Sequence, residues 1–315
     1  MKIFFFGAPH FSKEILKNLL ENNIDINTVI THPDQPVGRK KELQPTPIKL
    51  LAQENNITLK EFYKLDETAI EDIRQENPDI FIVASYGAIL PAELLTIPKF
   101  GALNVHPSLL PRLRGASPIQ TSLLNGLTET GTTIMLMDTG MDTGDIIKQS
   151  KVTIHQTETY PELEQRLINL SCGLLTPIIQ EIASNNQTPI SIKQNNNEAT
   201  YSKIIKKQDG LIDWTKSAQK IYNQWRAFYN WPKIHTLYNK QKLTLTEIEL
   251  FPQNDILNNT NPSAGTVCSN DKKDLLFYTK KGLLKINRLQ LAGKKEMISK
   301  DFLNGQPNFL GTILK

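Results

Sequence analysis

Cysteine is nearly absent from this 315-residue chain: only Cys172 and Cys268 occur, 96 positions apart. Neither has a close Cys or His partner in sequence, which excludes a zinc ribbon and a disulfide framework and fits a reducing compartment. Long hydrophobic runs are missing too. Ile80–Ala84 is typical of the longest, far short of the roughly 20 apolar residues of a membrane span. No apolar stretch with a cleavage site follows Lys2–Phe6, and Glu14 and Glu21 argue against an Arg-rich transit peptide. A cytoplasmic protein with no membrane partner is therefore expected. Gly7 ends the first apolar run, but the other two glycines of G-x-G-x-x-G are not there. That fingerprint needs them for pyrophosphate approach and helix packing, so their absence argues against a nicotinamide-dependent enzyme. Internal repeats are absent. With 39% hydrophobic and 22% charged residues, wholesale disorder is excluded as well.

What is present divides by charge. The formal net charge of +4 conceals residues 1–200, with 17 Lys+Arg against 23 Asp+Glu, and residues 201–315, with 19 against 9. The halves thus carry −6 and +10. An asymmetry of this kind is either a lysine-rich solvated surface or the mark of a polyanionic partner for the basic half.

The first 185 residues alternate strand-like runs (Lys2–Phe6, Asp25–Thr31, Asp79–Ser85, Ala102–His106, Thr132–Met137) with helical periods (His10–Asn22, Pro47–Glu54, Asp66–Glu76, Ser117–Asn125). Such alternation predicts an α/β domain with a doubly wound, mostly parallel sheet, whose ligands bind outside the carboxyl ends of the strands. Pro161–Ala183 reads as a longer helix closing it. The polar, turn-rich stretch Ser184–Ser202 reads as a linker. Beyond a helical piece at Ser217–Phe228, short segments at Ile234–Tyr238, Lys242–Ile248, Gly265–Cys268, Leu275–Thr279 and Gly282–Leu289 predict a smaller β-barrel.

Three connections carry the chemistry. In the first, Asn104 and His106 share one strand face because side chains alternate with period two. A carboxamide and an imidazole at a strand end direct two donors at one developing oxyanion, although a strand-end histidine is often purely structural. Leu109 and Leu110 follow, apolar residues in a loop where polar ones are usual, suited to lining a ligand slot. In the second, the repeated Asp-Thr-Gly of 138–144 gives sharp turns. Each aspartate either caps its own turn or reaches the neighbouring strand end, where a carboxylate fixes the tautomer of an imidazole and favours its cationic form. The third, Thr31–Pro47, is much longer than the usual 2–6 residues. Its tip, Arg39-Lys40-Lys41, either is solvated or meets phosphates.

Asn104-Val105-His106, Ser108-Leu109-Leu110-Pro111 and Asp142-Thr143-Gly144-Asp145-Ile146 together resemble the 10-formyltetrahydrofolate-dependent formyltransferases. The resemblance runs from Lys2 nearly to the C-terminus. It takes in the Pro33–Pro47 loop, Tyr86–Pro91, Trp225–Phe228 with Trp231-Pro232, and Ala292–Lys295. The long loop and the C-terminal half single out the members that act on tRNA. The resemblance implies a Rossmann-like catalytic domain at 1–185, a linker at 186–207, and a basic barrel of oligonucleotide-binding type at 208–315 that follows the tRNA backbone.

It further implies transfer of a formyl group from 10-formyltetrahydrofolate, as cosubstrate and without a metal, to the α-amino group of initiator methionyl-tRNA. His106 polarises the formyl carbonyl, Asn104 helps hold the oxyanion, and Asp142 orients His106, keeps it protonated and relays protons through water. Ser108, Leu109, Leu110 and Pro111 line the folate site, with Tyr86 and Leu90 close to the pterin. Arg39, Lys40 and Lys41 enter the acceptor stem, Lys206 and Lys207 add tRNA contacts, and the chain acts as a monomer. Pro107 stands where the family usually has Gly, Leu113 where it has an aromatic, and Tyr229-Asn230 where it has Asn-Pro.

Overall fold

Five consecutive apolar residues suit a strand buried on both faces. In the computed structural model, which describes residues 1–37, 41–252 and 262–315, Ile3–Gly7 forms β1, fully buried inside a seven-stranded sheet. The chain folds as two units, the first comprising Met1–Pro118, Glu129–Ile154 and Glu164–Lys203. After β1 come α1 (His10–Glu21), β2 (Thr28–Thr31), the hairpin of β3 (Gln35–Val37) and β4 (Glu42–Gln44), and α2 (Pro47–Glu54). Next follow β5 (Thr58–Glu61), α3 (Glu67–Gln75), β6 (Ile80–Ala84), α4 (Ala92–Leu95), β7 (Ala102–His106) and the short β8 (Arg114–Gly115). Helices α5 (Pro118–Leu124) and α6 (Tyr160–Asn185) have residues in both units; β9 (Glu129–Leu136), β10 (Ile146–Thr153) and the short β11 (Tyr201–Ser202) complete the first.

The sheet order is β10-β9-β7-β6-β1-β2-β5. It is parallel from β7 to β5, and β9 and β10 are added antiparallel. Strand order reverses between β1 and β6, so the carboxyl ends of β1, β6 and β7 border the crevice where such sheets bind ligands. Registers Gly7↔Ala84 and Val83↔Asn104 set Asn104 beside the end of β6. Helix starts follow local chemistry. Thr46 accepts the Lys49 N–H ahead of Pro47 in the first turn of α2, and Asp66 accepts the Ala69 N–H at α3. Helix α6 is the one described helix long and apolar enough to cross a membrane, and half of that window is buried. Its Leu167, Leu175 and Ile182 are inaccessible to solvent, and Ser171 is hydrogen-bonded to Thr132 of β9.

The structure differs from the sequence reading at the edges. Strands β5 and β10 are outermost, so burial imposes little apolar pattern on them, and Thr58–Glu61 has no buried residue. The stretch expected as a linker at 186–207 belongs to the first unit as far as Lys203. The Asn186, Gln194, Asn195 and Asn196 side chains bond to protein groups there, and β11 pairs with β8; polar composition alone reads the same way as solvent exposure.

The second unit (Ile119–Thr128, His155–Leu163 and Ile204–Lys315) contains α7 (Ala218–Ala227), β12 (His235–Tyr238), β13 (Gln241–Phe251), β14 (Val267–Ser269), β15 (Leu275–Tyr278), β16 (Leu283–Leu291), β17 (Met297–Ile298) and α8 (Ser299–Gly305). Its antiparallel sheet has the order β12-β13-β16-β15-β14, with β17 also on β16. The curled sheet is a half-barrel whose two edges meet the C-terminal stretch. Val267 and Gly311–Thr312 exchange N–H···O bonds of 2.9 Å, and Leu237 N–H donates to the Lys315 carbonyl at 3.2 Å. Leu243, Leu276, Phe277, Leu284, Leu289 and Phe309 fill the interior.

Candidate active site

Asn104 and His106 leave β7 on one face, as alternation requires, and Asp142 stands opposite both. Asn104 Nδ2 donates to Asp142 Oδ1 at 3.4 Å, and His106 Nδ1 is 3.6 Å from the same oxygen, ion-pair range for a protonated ring. Asp142 Oδ2 accepts the Gly115 N–H at 2.7 Å, short in the manner of a bond to an ionised acceptor. The far side of the imidazole is held as well: Nε2 lies 3.0 Å from the Leu113 carbonyl. A carbonyl only accepts, so Nε2 carries a proton and Nδ1 is the nitrogen left to exchange one with the site. The His106 side chain is 5% exposed and that of Asp142 15%, so a protonated ring and the carboxylate interact there with little screening.

Two of these groups sit on unusual backbone. Leu113 (φ +58°) and Asp142 (φ +53°) are left-handed, which costs a residue with a side chain roughly 1–2 kcal/mol. Such conformations persist where the surroundings fix them. The loop after β9 is so close to it that a Cβ on Gly144 would lie 1.9 Å from the Leu136 carbonyl oxygen. The two aspartates of the repeat divide the alternatives between them. Asp138 Oδ1 takes the Gly140 N–H and the Thr143 hydroxyl, capping its own turn, whereas Asp142 faces β7.

The Ser108–Pro111 loop is pinned from β9 and β10. Thr133 Oγ1 donates to the Ser108 carbonyl at 2.7 Å and accepts the Leu110 N–H, while Gln149 Nε2 donates to the Leu110 carbonyl at 2.7 Å and to Thr133 Oγ1 at 2.8 Å. Ser108 and Leu110 are buried, leaving Leu109 and Pro111 half-buried. After β6 the side chains expected beside the pterin turn inward. Tyr86 and Leu90 are 3% and 2% exposed and belong to the core with Phe6, Phe81 and Leu94. Tyr86 packs edge-on against Phe6 and stacks on His32, and burial pushes its phenol up to about 12. The segment therefore presents Gly87, Ala88 and Ile89 outward. An aromatic residue just past a strand end is indistinguishable in sequence from one that faces a ligand.

Of the residues expected to meet tRNA, Arg39 and Lys40 lie outside the described residues. Lys41, Lys206 and Lys207 are exposed. Sequence reasoning missed the support of the site: Thr133, Gln149 and Gln194 are single polar residues in β-like or linker-like stretches, and the Gly115 N–H and Leu113 carbonyl are backbone groups, which carry no sequence signal. Among the described residues no group of three or more His, Cys, Asp or Glu is placed to hold a metal ion.

Comparison with known proteins bears on this geometry. The family model described as formyl transferase matches residues 1–177, and that of the formyl transferase C-terminal domain matches residues 204–307. Curated relatives are named methionyl-tRNA formyltransferase. That of Caldicellulosiruptor saccharolyticus is 39% identical over 317 residues and that of Clostridioides difficile 36% over 315, each over 100% of both chains. Among solved structures, an N-formyltransferase from Helicobacter canadensis in complex with folinic acid and dTDP-3-aminofucose has a TM-score of 0.65 at 23% identity, covering 91% of this chain and 98% of its own. HypX from Aquifex aeolicus, in complex with tetrahydrofolic acid, also has a TM-score of 0.65, at 14% identity over 98% of this chain and 48% of its own. At these identities the two structures speak to the fold; the family models and the full-length relatives establish that the chain belongs to the formyl transferase family.

Proposed function

We propose that this chain transfers the formyl group of 10-formyltetrahydrofolate to the α-amino group of methionyl-tRNA, giving N-formylmethionyl-tRNA and tetrahydrofolate for translation initiation. The observation that carries this reading is the convergence of Asn104 Nδ2 and His106 Nδ1 on one edge of the Asp142 carboxylate. As the amine attacks the formyl carbon, a C–N bond forms and the carbonyl oxygen becomes negative. Asn104 and protonated His106 donate to that oxygen, and Asp142 balances the imidazolium charge. Loss of one such donor typically lowers kcat by roughly 10²–10³. Collapse then breaks the bond from carbon to N10, and the proton given up by the amine reaches N10 through Asp142 and water. No covalent enzyme nucleophile enters the sequence.

In the same proposal Leu109 and Pro111, with the outward-facing Gly87–Ile89, border the folate. The pinned Ser108 and Leu110 shape that loop from within. Lys206 and Lys207, together with Arg39, Lys40 and Lys41 from the long loop, meet the tRNA phosphates. The +10 charge of residues 201–315 supports a polyanionic acceptor over a small one. The initiator tRNA is the acceptor, the chain works as a monomer, and the site of action is the cytoplasm, where translation starts.

The test is a competition among acceptors. The purified protein is given formyl-labelled 10-formyltetrahydrofolate with methionyl initiator tRNA, methionyl elongator tRNA or a nucleotide-linked amino sugar. Label on the initiator alone is the expected result. Label on the amino sugar alone overturns the choice of acceptor, and label on none overturns the reaction.

A further inference from the structure

Behind the site lies a second polar layer within the first unit. The Arg114 guanidinium is buried. Its Nε and one terminal nitrogen both donate to Gln194 Oε1, at 3.1 and 2.7 Å, and that terminal nitrogen also donates to Asn196 Oδ1 at 2.8 Å. The other end of the Gln194 amide turns toward the Asp142 loop: Nε2 donates to the Asp142 carbonyl at 2.9 Å and to the Gly144 carbonyl at 2.7 Å. Guanidinium donors on one side and two carbonyls on the other leave a single orientation for the amide. Its two bonds fasten the chain at the left-handed Asp142 and at Gly144, whose close approach to Leu136 admits no side chain. The Asp142 carboxylate stands at 3.4 and 3.6 Å from its partners on β7, with little room for further displacement.

We propose that Gln194, oriented by the buried Arg114, is a positioning residue for formyl transfer: it fixes the Asp142 backbone so that the carboxylate stays in front of Asn104 and His106. The proposal rests on the reading of Asp142 as a catalytic residue. A misplacement of about 1 Å in such a site costs on the order of 10²-fold in rate.

Two substitutions separate positioning from support of the fold. Gln194→Ala removes both ends of the clamp. Gln194→Glu keeps an acceptor for Arg114 but sets an oxygen against the Asp142 and Gly144 carbonyls. Each is made alone and combined with Asp142→Ala, and kcat, KM and melting temperature are measured. Both single variants are expected to lose roughly 30- to 100-fold in kcat, with KM for folate and tRNA within about twofold of wild type. Gln194→Glu is expected to melt close to wild type. In the Asp142→Ala background either change is expected to lower the residual single-turnover rate by less than about twofold, because the two residues act as one unit. Wild-type kcat in Gln194→Glu, or a full further loss in the double variants, overturns the proposal while leaving the role of Asp142 intact. An unchanged kcat in Asp142→Ala alone overturns the reading of the site, and the clamp with it.

Discussion

Replacing Asp142 by asparagine removes a charge and almost no volume, and the surroundings dictate how the new amide sits. The Gly115 N–H, 2.7 Å from Oδ2, needs an acceptor, so the amide oxygen takes that position. The nitrogen is then set against the donor Asn104 Nδ2 and against His106 Nδ1, which accepts from it only as neutral imidazole, so the new amide opposes the charged ring. The lost attraction follows from the 3.6 Å separation: about 4–5 kcal/mol between unit charges at an effective dielectric constant of ~20. At ~1.4 kcal/mol per decade that is about three decades of rate. Single-turnover transfer to methionyl-tRNA with saturating folate reads the chemical step directly. Asp142→Asn should slow it by roughly 10²–10⁴, with tRNA KM within about twofold, since the change touches the transition state and not the acceptor contacts. A chemical step within about tenfold of wild type refutes the pairing of Asp142 with a charged His106.

Other residues offer independent tests. Gln149→Ala frees the Leu110 carbonyl and should raise the folate KM by up to about 30-fold with a smaller change in kcat, two lost hydrogen bonds being worth about 1 kcal/mol each at most sites; an unchanged KM removes the Ser108–Pro111 loop from folate binding. If residues 201–315 meet phosphates, the logarithm of tRNA affinity should fall with the logarithm of salt by about 0.7–0.9 per contact, and a flat dependence contradicts that. In the second unit the side-chain amide of Asn270 and then the Lys285 ammonium, each 2.9 Å away, hold the Asp274 carboxyl below its ordinary range. A depressed carboxyl pKa contributes stability above its unfolded value near about 3.9, lost as pH falls through the folded one. The difference in melting temperature between wild type and Asp274→Asn should therefore shrink from about pH 6 to pH 3, and a constant difference refutes it.

The central strands were legible because burial on both faces writes continuous apolar runs, as in Ile3–Phe6 and Ile80–Ala84. The edge strands β5 and β10 were not, since half-exposed residues such as Thr58–Glu61 leave no such record. Within the site, Asn104 and His106 could be paired from strand periodicity alone. The choice of Asp142 over Asp138 as the facing carboxylate came from family resemblance and is visible physically only in the turn that Asp138 caps. Gln194 was hidden for the opposite reason. It lies in a polar stretch whose composition describes solvated chain and clamp equally, and only the carbonyls it reaches distinguish them. Tyr86, set close to the pterin by the family resemblance, has its side chain in the core against Phe6.

The most direct test of the account is His106→Ala, measured for single-turnover formyl transfer and for tRNA and folate binding by the same preparation. Removing the imidazole donor at Nδ1 while leaving the basic unit and the pinned loop in place should lower transfer by roughly 10²–10³ and leave both dissociation constants within about twofold. Near-wild-type transfer in that variant contradicts the mechanism at its centre.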